Sequence, residues 1–365
     1  MTYSIALLAI ALALTALAWI GRRRRGWAVV LANVAAVFAA LGLVEIHLDS
    51  QKDPGDGTRL EGSITKGFTH PDDVLGYAPA ANARVTARKL YGDKVLYDVT
   101  YTTDAHGLRV SAPALPDVHS CVLFFGDSIT FGEGVEDADT YAHVVSALAA
   151  DRYRTYNFGY SGYGPHQMLA ALQSGRVARI VNCTPKYIYY LCIPDHAVRI
   201  TGIYPWDRHG PRFVLASDGS VVQRGHFDDD DPHGGVGAWI EHVLSGSRIW
   251  QRLFVQPHGP EPGDVPLLAG IVAQAARVAQ ERFPGSVFEV ILWDGADERG
   301  QAIEAALAAR GIRVRRMTSL VPDFYTHSGD YLLSTHDRHP NARFHHLMGE
   351  GIAREVMADE PPHSD

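Results

Sequence analysis

Two apolar stretches open the chain. Residues 4–20 and residues 27–44 carry no charge, and between them stands Gly21-Arg22-Arg23-Arg24-Arg25-Gly26. Each stretch approaches the ~20 residues that a membrane-spanning helix needs. A short arginine-rich loop favours the cytoplasmic side, and Trp19 and Trp27 flank it as interface anchors do. The pattern predicts a helical hairpin over residues 1–47 with both ends outside the cytoplasm. Two other readings stay open. One is a single anchor over residues 27–47 with the arginines inside. The other is a cleaved signal peptide, although Met1-Thr2-Tyr3 lacks the positive stretch such a peptide carries. Both membrane readings put the bulk of the chain outside.

Residues 48–62 are polar and rich in Gly and Asp, and read as a linker. Residues 63–118 form a small β-region. Lys94–Thr103 alternates and is rich in β-branched and aromatic residues, and Ala83–Arg88 pairs with it through Tyr91-Gly92-Asp93. Its apolar residues are too few for a core of its own, so it is expected to pack on the domain C-terminal to it.

From residue 119 to 358 strands and helices alternate. Strands are predicted at Cys121–Phe125, Tyr153–Phe158, Tyr187–Cys192, Val287–Trp293 and Ile312–Met317. Helices are predicted at Thr140–Ala150, Pro165–Val181, Leu267–Arg282, Gly300–Arg310 and Ala342–Met357. Such alternation argues for an α/β domain, a parallel sheet covered by helices on both faces. Residues 203–265 interrupt it as an insertion, with a hairpin over Arg212–Gly225 around Asp218-Gly219. The run Asp228–Asp231, before Pro232-His233-Gly234-Gly235, lacks the alternating spacing of a calcium loop and reads as a solvated acidic face. Residues 359–365 are a tail. Tyr187, Tyr189 and Tyr190 read as strand core, and His345 and His346 as residues divided between sheet and solvent.

Composition narrows the partners. The chain has 365 residues, 46% of them hydrophobic, enough for one large domain with appendages. Its formal net charge of −8 gives no basis for nucleic-acid binding. The three cysteines suggest no disulfide framework. Cys121 and Cys192 border apolar runs, where thiols are inert. Cys183 and Cys192 stand at opposite ends of one predicted strand, roughly 30 Å apart, too far to bridge. There is no CxxC pair, no metal site and no cofactor is indicated, and nothing identifies a protein partner.

The chemistry lies at two distant points. Val122-Leu123-Phe124-Phe125 ends in Gly126-Asp127-Ser128, which places a hydroxyl at the carboxyl edge of a sheet, where open α/β sheets carry their sites. Gly132 and Gly134 keep the backbone beside it uncrowded. A serine becomes a nucleophile only when a base takes its proton, and an imidazole oriented by a carboxylate is such a base near neutral pH. Asp337-Arg338-His339-Pro340-Asn341 offers both on one loop, two residues apart, just before the last helix.

These segments resemble the SGNH (GDSL-type) hydrolases. Gly126-Asp127-Ser128-Ile129-Thr130 is similar to their first block, Asn157-Phe158-Gly159-Tyr160-Ser161-Gly162 to their second, and Asp337-Arg338-His339-Pro340-Asn341 to their last. The resemblance covers residues 118–358. It implies a flavodoxin-like three-layer α/β/α fold and ester hydrolysis, with Ser128 as nucleophile, His339 as base and Asp337 as its orienter. It also implies that the N–H groups of Ser128 and Gly162 bind the oxyanion. Asp127, Asn157, Asp195 and His196 are candidates to support these groups, with Asp195-His196 open between a supporting pair and a surface pair.

Two departures stand out. The third block of the family ends a strand in Gly-x-Asn-Asp, whose Asn donates to the oxyanion. Here the segment is Cys192-Ile193-Pro194-Asp195, and proline has no donor. Either His196 or Asn157 substitutes, or the site runs on two backbone donors. The family also often sets Asp and His three apart, which would put His336 in the acid's place; the shorter spacing keeps Asp337. The resulting expectation is a membrane-anchored, extracytoplasmic serine esterase acting on an O-acylated envelope glycan or small ester. An O-acyltransferase with the same three residues, and a catalytically weak glycan-binding module, are the alternatives.

Overall fold

The computed structural model describes residues 2–50, 57–229, 244, 247–253, 264–295 and 297–358. Part of the expected linker (51–56), Asp230, Asp231 and the residues 232–243 that follow, and the expected tail 359–365 lie outside these residues. The chain divides into two compact units, Met1–Gly57 with Asp231–Gly259, and Thr58–Asp230 with Pro260–Asp365.

The first unit holds helices α1 (Thr2–Ile20) and α2 (Arg25–Ser50), which pack on each other. Both are long and apolar enough to cross a membrane. Their contact is a seam of small residues. Ser4, Ala11 and Ala18 are buried on α1 and Ala35 on α2, at heptad spacing, and a Cβ added to Gly42 would come within 3.0 Å of Leu8. Small residues at that period let two helices approach closely. Near the end of α2 the buried Glu45 accepts hydrogen bonds from Ser247 Oγ (3.2 Å) and Ile249 N (3.1 Å), tying the short helix Arg248–Leu253 to it.

The second unit begins with a β-region. Strands β1 (Thr58–Glu61), β4 (Arg84–Tyr91) and β5 (Lys94–Thr102) form an antiparallel sheet in the order β1-β4-β5, and β2 (Thr69–Asp72) pairs with β3 (Gly76–Pro79). Phe68, Leu75, Val85, Ala87 and Tyr101 join the same apolar cluster as the strands and helices of the larger sheet.

The main sheet contains β6 (Ser120–Phe125), β7 (Tyr153–Asn157), β8 (Thr184–Cys192), β11 (Val287–Leu292) and β12 (Arg313–Arg316), all parallel, in the order β12-β11-β8-β6-β7. Counted from β6, this is the doubly wound order 2-1-3-4-5, whose switch point falls between β6 and β8. The helices are α3 (Ser128–Phe131), α4 (Tyr141–Leu148), α5 (Pro165–Gln173), α6 (Arg176–Ile180), α7 (His196–Arg199), α8 (Asp264–Arg282), α9 (Glu298–Ala308) and α10 (Ala342–Ala358). Cys121, Leu123 and Phe125 of β6 face α5 and α8, whereas Val122 and Phe124 face α4 and α10. A strand buried on both faces must be apolar at every position, which is why these segments read as continuous runs. The insertion carries the expected hairpin, β9 (Pro211–Leu215) with β10 (Val221–His226).

Three expectations need correction. The expected linker 48–62 is structured at both ends, because α2 runs on to Ser50 and Thr58–Glu61 is strand β1, paired with β4. The helix predicted over 165–181 is two, because Ser174-Gly175 breaks it with Gly175 at φ +74°. The cysteines are not all free thiols: Cys121 and Cys183 form a disulfide with Cα atoms 5.9 Å apart, and Cys192 alone is free and buried. Distance along one strand does not govern this pair. The bridge crosses from β6 to the residue preceding β8, its sheet neighbour, where Ser120 pairs with Thr184.

Candidate active site

The turn Gly126-Asp127-Ser128 is built by exclusion and by capping. Gly126 sits at φ +156°, and a Cβ there would collide with Thr130 Oγ1. Asp127 caps α3 by accepting the N–H of Ile129 at 3.0 Å, which leaves Ser128 as the first residue of the helix. The turn beyond α3 is held from below by Arg109, a fully buried guanidinium. It donates to the carbonyls of Phe131, Gly132 and Val135 at 3.2, 3.2 and 2.8 Å and to Asp137 at 2.6 Å, and it lies over the rings of Tyr101 and Phe131. Peptide oxygens that a four-residue helix cannot satisfy internally thus find a charged donor.

The loop before α10 is pinned as a narrow hairpin. Leu332 bridges to Pro340, Leu333 N donates to His339 O at 2.9 Å, and Asp337 N donates to Ser334 Oγ at 2.9 Å. This brings Asp337 and His339 to the end of β6. His339 Nε2 lies 2.9 Å from Ser128 Oγ. His339 Nδ1 lies 2.6 Å from Asp337 Oδ1, which also accepts the backbone N–H of His339 at 3.0 Å. With Nδ1–H donated to the carboxylate, the lone pair of Nε2 is left for the serine proton. His336 takes no part: it stacks on Tyr91 at 3.6 Å.

Charges around the imidazole set its basicity. Lys89 Nζ stands 2.8 Å from Asp337 Oδ2 and 3.8 Å from Glu133 Oε1, and Glu133 Oε2 stands 3.8 Å from His339 Nε2. Burial opposes the imidazolium, but the carboxylates of Glu133 and Asp337 outweigh it and raise the His339 pKa above the usual 6.5. Burial also opposes ionisation of Asp337, and the hydrogen bonds from His339 and the ammonium of Lys89 reverse that, holding it far below the normal carboxylate range. Glu133, Asp337 and His339 bring ligand-type atoms within 4.8 Å of one another, as a metal site would. The cation within that group is the ammonium of Lys89.

Asp127 belongs to a second buried network. Its Oδ2 lies 3.1 Å from Arg199 Nη1 and 3.4 Å from His196 Nε2. His196 Nδ1 contacts Tyr190 Oη at 2.6 Å and Ile193 N at 3.4 Å, so the ring carries its proton on Nε2, towards Asp127. Burial lowers the His196 pKa and keeps the ring neutral. Arg199 also pairs with Asp195 at 2.9 Å and donates to Tyr163 O at 2.7 Å.

Neither the N–H of Ser128 nor that of Gly162, the two expected oxyanion donors, has an acceptor among the described residues. Gly162 is at φ +83°, and a Cβ there would fall 2.5 Å from Tyr77 Oη and 2.6 Å from Trp206 Nε1. The side chains considered as stand-ins for the missing Asn are already engaged. Asn157 donates to Thr130 O at 2.7 Å and accepts from Gly159 N at 3.0 Å, and His196 faces Asp127. Pro194 opens the turn into α7.

Lys89, Arg109, Glu133 and Arg199 escaped the sequence reading. Lys89 left one signal. Val85 and Ala87 set the buried phase of β4, and Lys89 continues that phase with a charge.

No protein-family model matches the chain, and no curated protein matches it. Solved structures do resemble it. A member of the lipolytic G-D-S-L family from Veillonella parvula DSM 2008 aligns at TM-score 0.38 and 15% identity over 66% of this chain and 100% of that one. The acetylxylan esterase Axe2 of Geobacillus stearothermophilus aligns at TM-score 0.38 and 11% identity over 68% and 96%. The acetyl xylan esterase Est2A of Butyrivibrio proteoclasticus aligns at TM-score 0.39 and 11% identity over 67% and 64%. Identities this low with TM-scores below 0.5 add no weight to the geometry above.

Proposed function

We propose that this chain is a serine ester hydrolase of the SGNH type that works through an acyl-enzyme on an O-acylated glycan of the cell envelope. The observation that carries the proposal is the continuous chain Ser128 Oγ–His339–Asp337, with links of 2.9 and 2.6 Å, at the switch point of the sheet. In this reading Ser128 Oγ attacks the ester carbonyl while His339 Nε2 takes its proton. The tetrahedral oxyanion is held by the N–H groups of Ser128 and Gly162. His339 returns the proton to the leaving alcohol, and water repeats the sequence on the acyl-enzyme. The base works neutral, so activity rises as pH passes the elevated pKa of His339.

A sugar is favoured as substrate by an aromatic wall beside Gly162. Trp206 is 52% exposed, lies with its indole nitrogen over Gly162, and stacks on Tyr204 at 4.3 Å. Both ends of this wall are anchored. Tyr204 Oη donates to Asp195 at 2.8 Å, and buried Asp207 is held by His166 (2.6 Å) and Gln167 (2.8 Å). A fixed, half-exposed ring with polar neighbours suits the mixed faces of a sugar. The envelope placement is supported by the two apolar helices and by the disulfide, since such bridges persist in oxidising compartments. The same residues serve an O-acyltransferase if a sugar hydroxyl replaces water.

Pro194 favours a second reading, a glycan-binding module with little catalysis. The full chain in detergent separates the two. The hydrolase reading expects p-nitrophenyl acetate hydrolysis and fluorophosphonate labelling, both lost in Ser128→Ala. A wild type no faster than Ser128→Ala, or left unlabelled, refutes it.

A further inference from the structure

We propose that Lys89, contributed by the β-region and not by the main sheet, is a positioning residue of the active site that holds the Asp337 carboxylate and keeps His339 available as a base. The inference rests on the hydrolase reading above. Its basis is geometric. Asp337 Oδ1 is committed to His339, which leaves the buried Oδ2 to another partner. The ammonium of Lys89, 2.8 Å away, is the compensation for that buried oxygen. The Asp337 side chain is 1% exposed and that of Lys89 16%, so water screens the pair weakly.

The placement is built into the strand. Lys89 pairs with Tyr97 and Leu60, and a bulge between Lys89 and Leu90 shifts the register directly after it. In β4, Val85 and Ala87 point inwards and Lys89 continues in the same phase, while the extra residue at the bulge, Leu96, lies on β5. The strand therefore points a cation inwards on the face that Val85 and Ala87 fill with apolar side chains. The sheet that carries it is fixed to the nucleophile turn: Thr102 N donates to Asp137 at 3.0 Å, and Gly134 N donates to Tyr101 Oη at 2.8 Å.

The groups facing His339 are Asp337 on its own loop, Glu133 beyond α3, Lys89 of β4 and the hydroxyl of Ser128. His345 of α10 is neutral, pushed down to about 3 by burial. Two carboxylates and one ammonium thus bracket the ring. Removing the ammonium leaves both carboxylates unopposed and favours the imidazolium, the form that cannot accept the serine proton.

The test is the pH dependence of kcat/KM for p-nitrophenyl acetate, on the full chain in detergent, once wild type is shown to exceed Ser128→Ala. Lys89→Met is expected to move the acid limb to higher pH and to lower kcat/KM at neutral pH by about tenfold. Lys89→Arg is expected to bring the limb back towards its wild-type position. Glu133→Gln, which keeps Lys89 in place, is expected to move the limb the opposite way. A Lys89→Met variant whose activity falls equally at every pH, or does not change, overturns the proposal. If Lys89→Met does not fold, a Glu133→Gln limb that stays put or moves upwards overturns it. A wild type no better than Ser128→Ala refutes the hydrolase reading itself.

Discussion

Asp337→Asn is the substitution whose outcome the geometry specifies in most detail. Asparagine keeps the shape of aspartate but exchanges one acceptor for a donor. At residue 337 two orientations compete. In one, the amide oxygen replaces Oδ1, accepting from His339 Nδ1–H and the backbone N–H, and the NH₂ group then faces the ammonium of Lys89. In the other, the oxygen faces Lys89 and the NH₂ faces His339 Nδ1. Lys89 lies 2.8 Å from the Oδ2 position, so a donor there meets a cation in a poorly screened site, and the second orientation wins. His339 is then held as the tautomer with its proton on Nε2, pointing at Ser128 Oγ, and cannot act as base. The expected loss in kcat/KM is about 10⁴, or roughly 5 kcal/mol of transition-state stabilisation. The assay is p-nitrophenyl acetate hydrolysis by the full chain, with Ser128→Ala as zero and circular dichroism to confirm the fold. The double variant Asp337→Asn/Lys89→Met sharpens the test. Without the ammonium the amide can turn back and restore the productive tautomer, so the double variant should be faster than Asp337→Asn alone, a strong non-additivity. An Asp337→Asn enzyme within tenfold of wild type, or a double variant slower than the single, would show that the tautomer assignment is wrong.

Two further outcomes are expected from the same structure. Trp206→Ala should leave p-nitrophenyl acetate turnover within about threefold while reducing kcat/KM on an acetylated oligosaccharide by about 10-fold or more, the scale of a lost aromatic contact; equal losses on both substrates would place Trp206 in the fold or the oxyanion site instead. The disulfide closes a 62-residue separation, so Cys183→Ser should cost about 4 kcal/mol in the chain-entropy account, read as a lower denaturation midpoint; thiol titration of the unreduced, denatured protein should find one thiol, and three would contradict both the bridge and the oxidising compartment.

The parts of this molecule legible in sequence are those where one local rule governs. The strands of the main sheet are buried on both faces, so their composition alone marks them, and Gly126-Asp127-Ser128 comes directly after one of them. Asp337 and His339 share one loop, so their relation needs no tertiary knowledge. What could not be read depends on neighbours distant in sequence. The Cys121–Cys183 bridge requires knowing that β6 and β8 are adjacent. Lys89 reaches Asp337 from 248 residues earlier in the chain, and only the interrupted apolar phase of β4 hints that it points inwards. Arg109 sits in an ordinary Leu-Arg-Val segment, yet it is buried because the short turn beyond Ser128 leaves carbonyls that need a donor. The helix predicted across Ser174-Gly175 failed because one left-handed glycine outweighs the helical periodicity around it.

Under the proposed hydrolase reading, Pro194 changes how the site works. An oxyanion hole short of one donor can lose about 10²–10³ in rate, and Asn157 and His196 are both committed elsewhere. Two backbone N–H groups remain, those of Ser128 and Gly162, and both belong to turns whose shape depends on packing. With less stabilisation at the reacting carbonyl, more has to come from contacts to the rest of the substrate, which contribute to kcat when they position the ester. The aromatic wall of Tyr204 and Trp206 stands against Gly162 itself, so a sugar ring bound there would press on the same turn that presents the oxyanion donor. In the hydrolase reading, the missing asparagine and the exposed tryptophan act together: p-nitrophenyl acetate is turned over, but more slowly than an acylated sugar that also contacts Trp206.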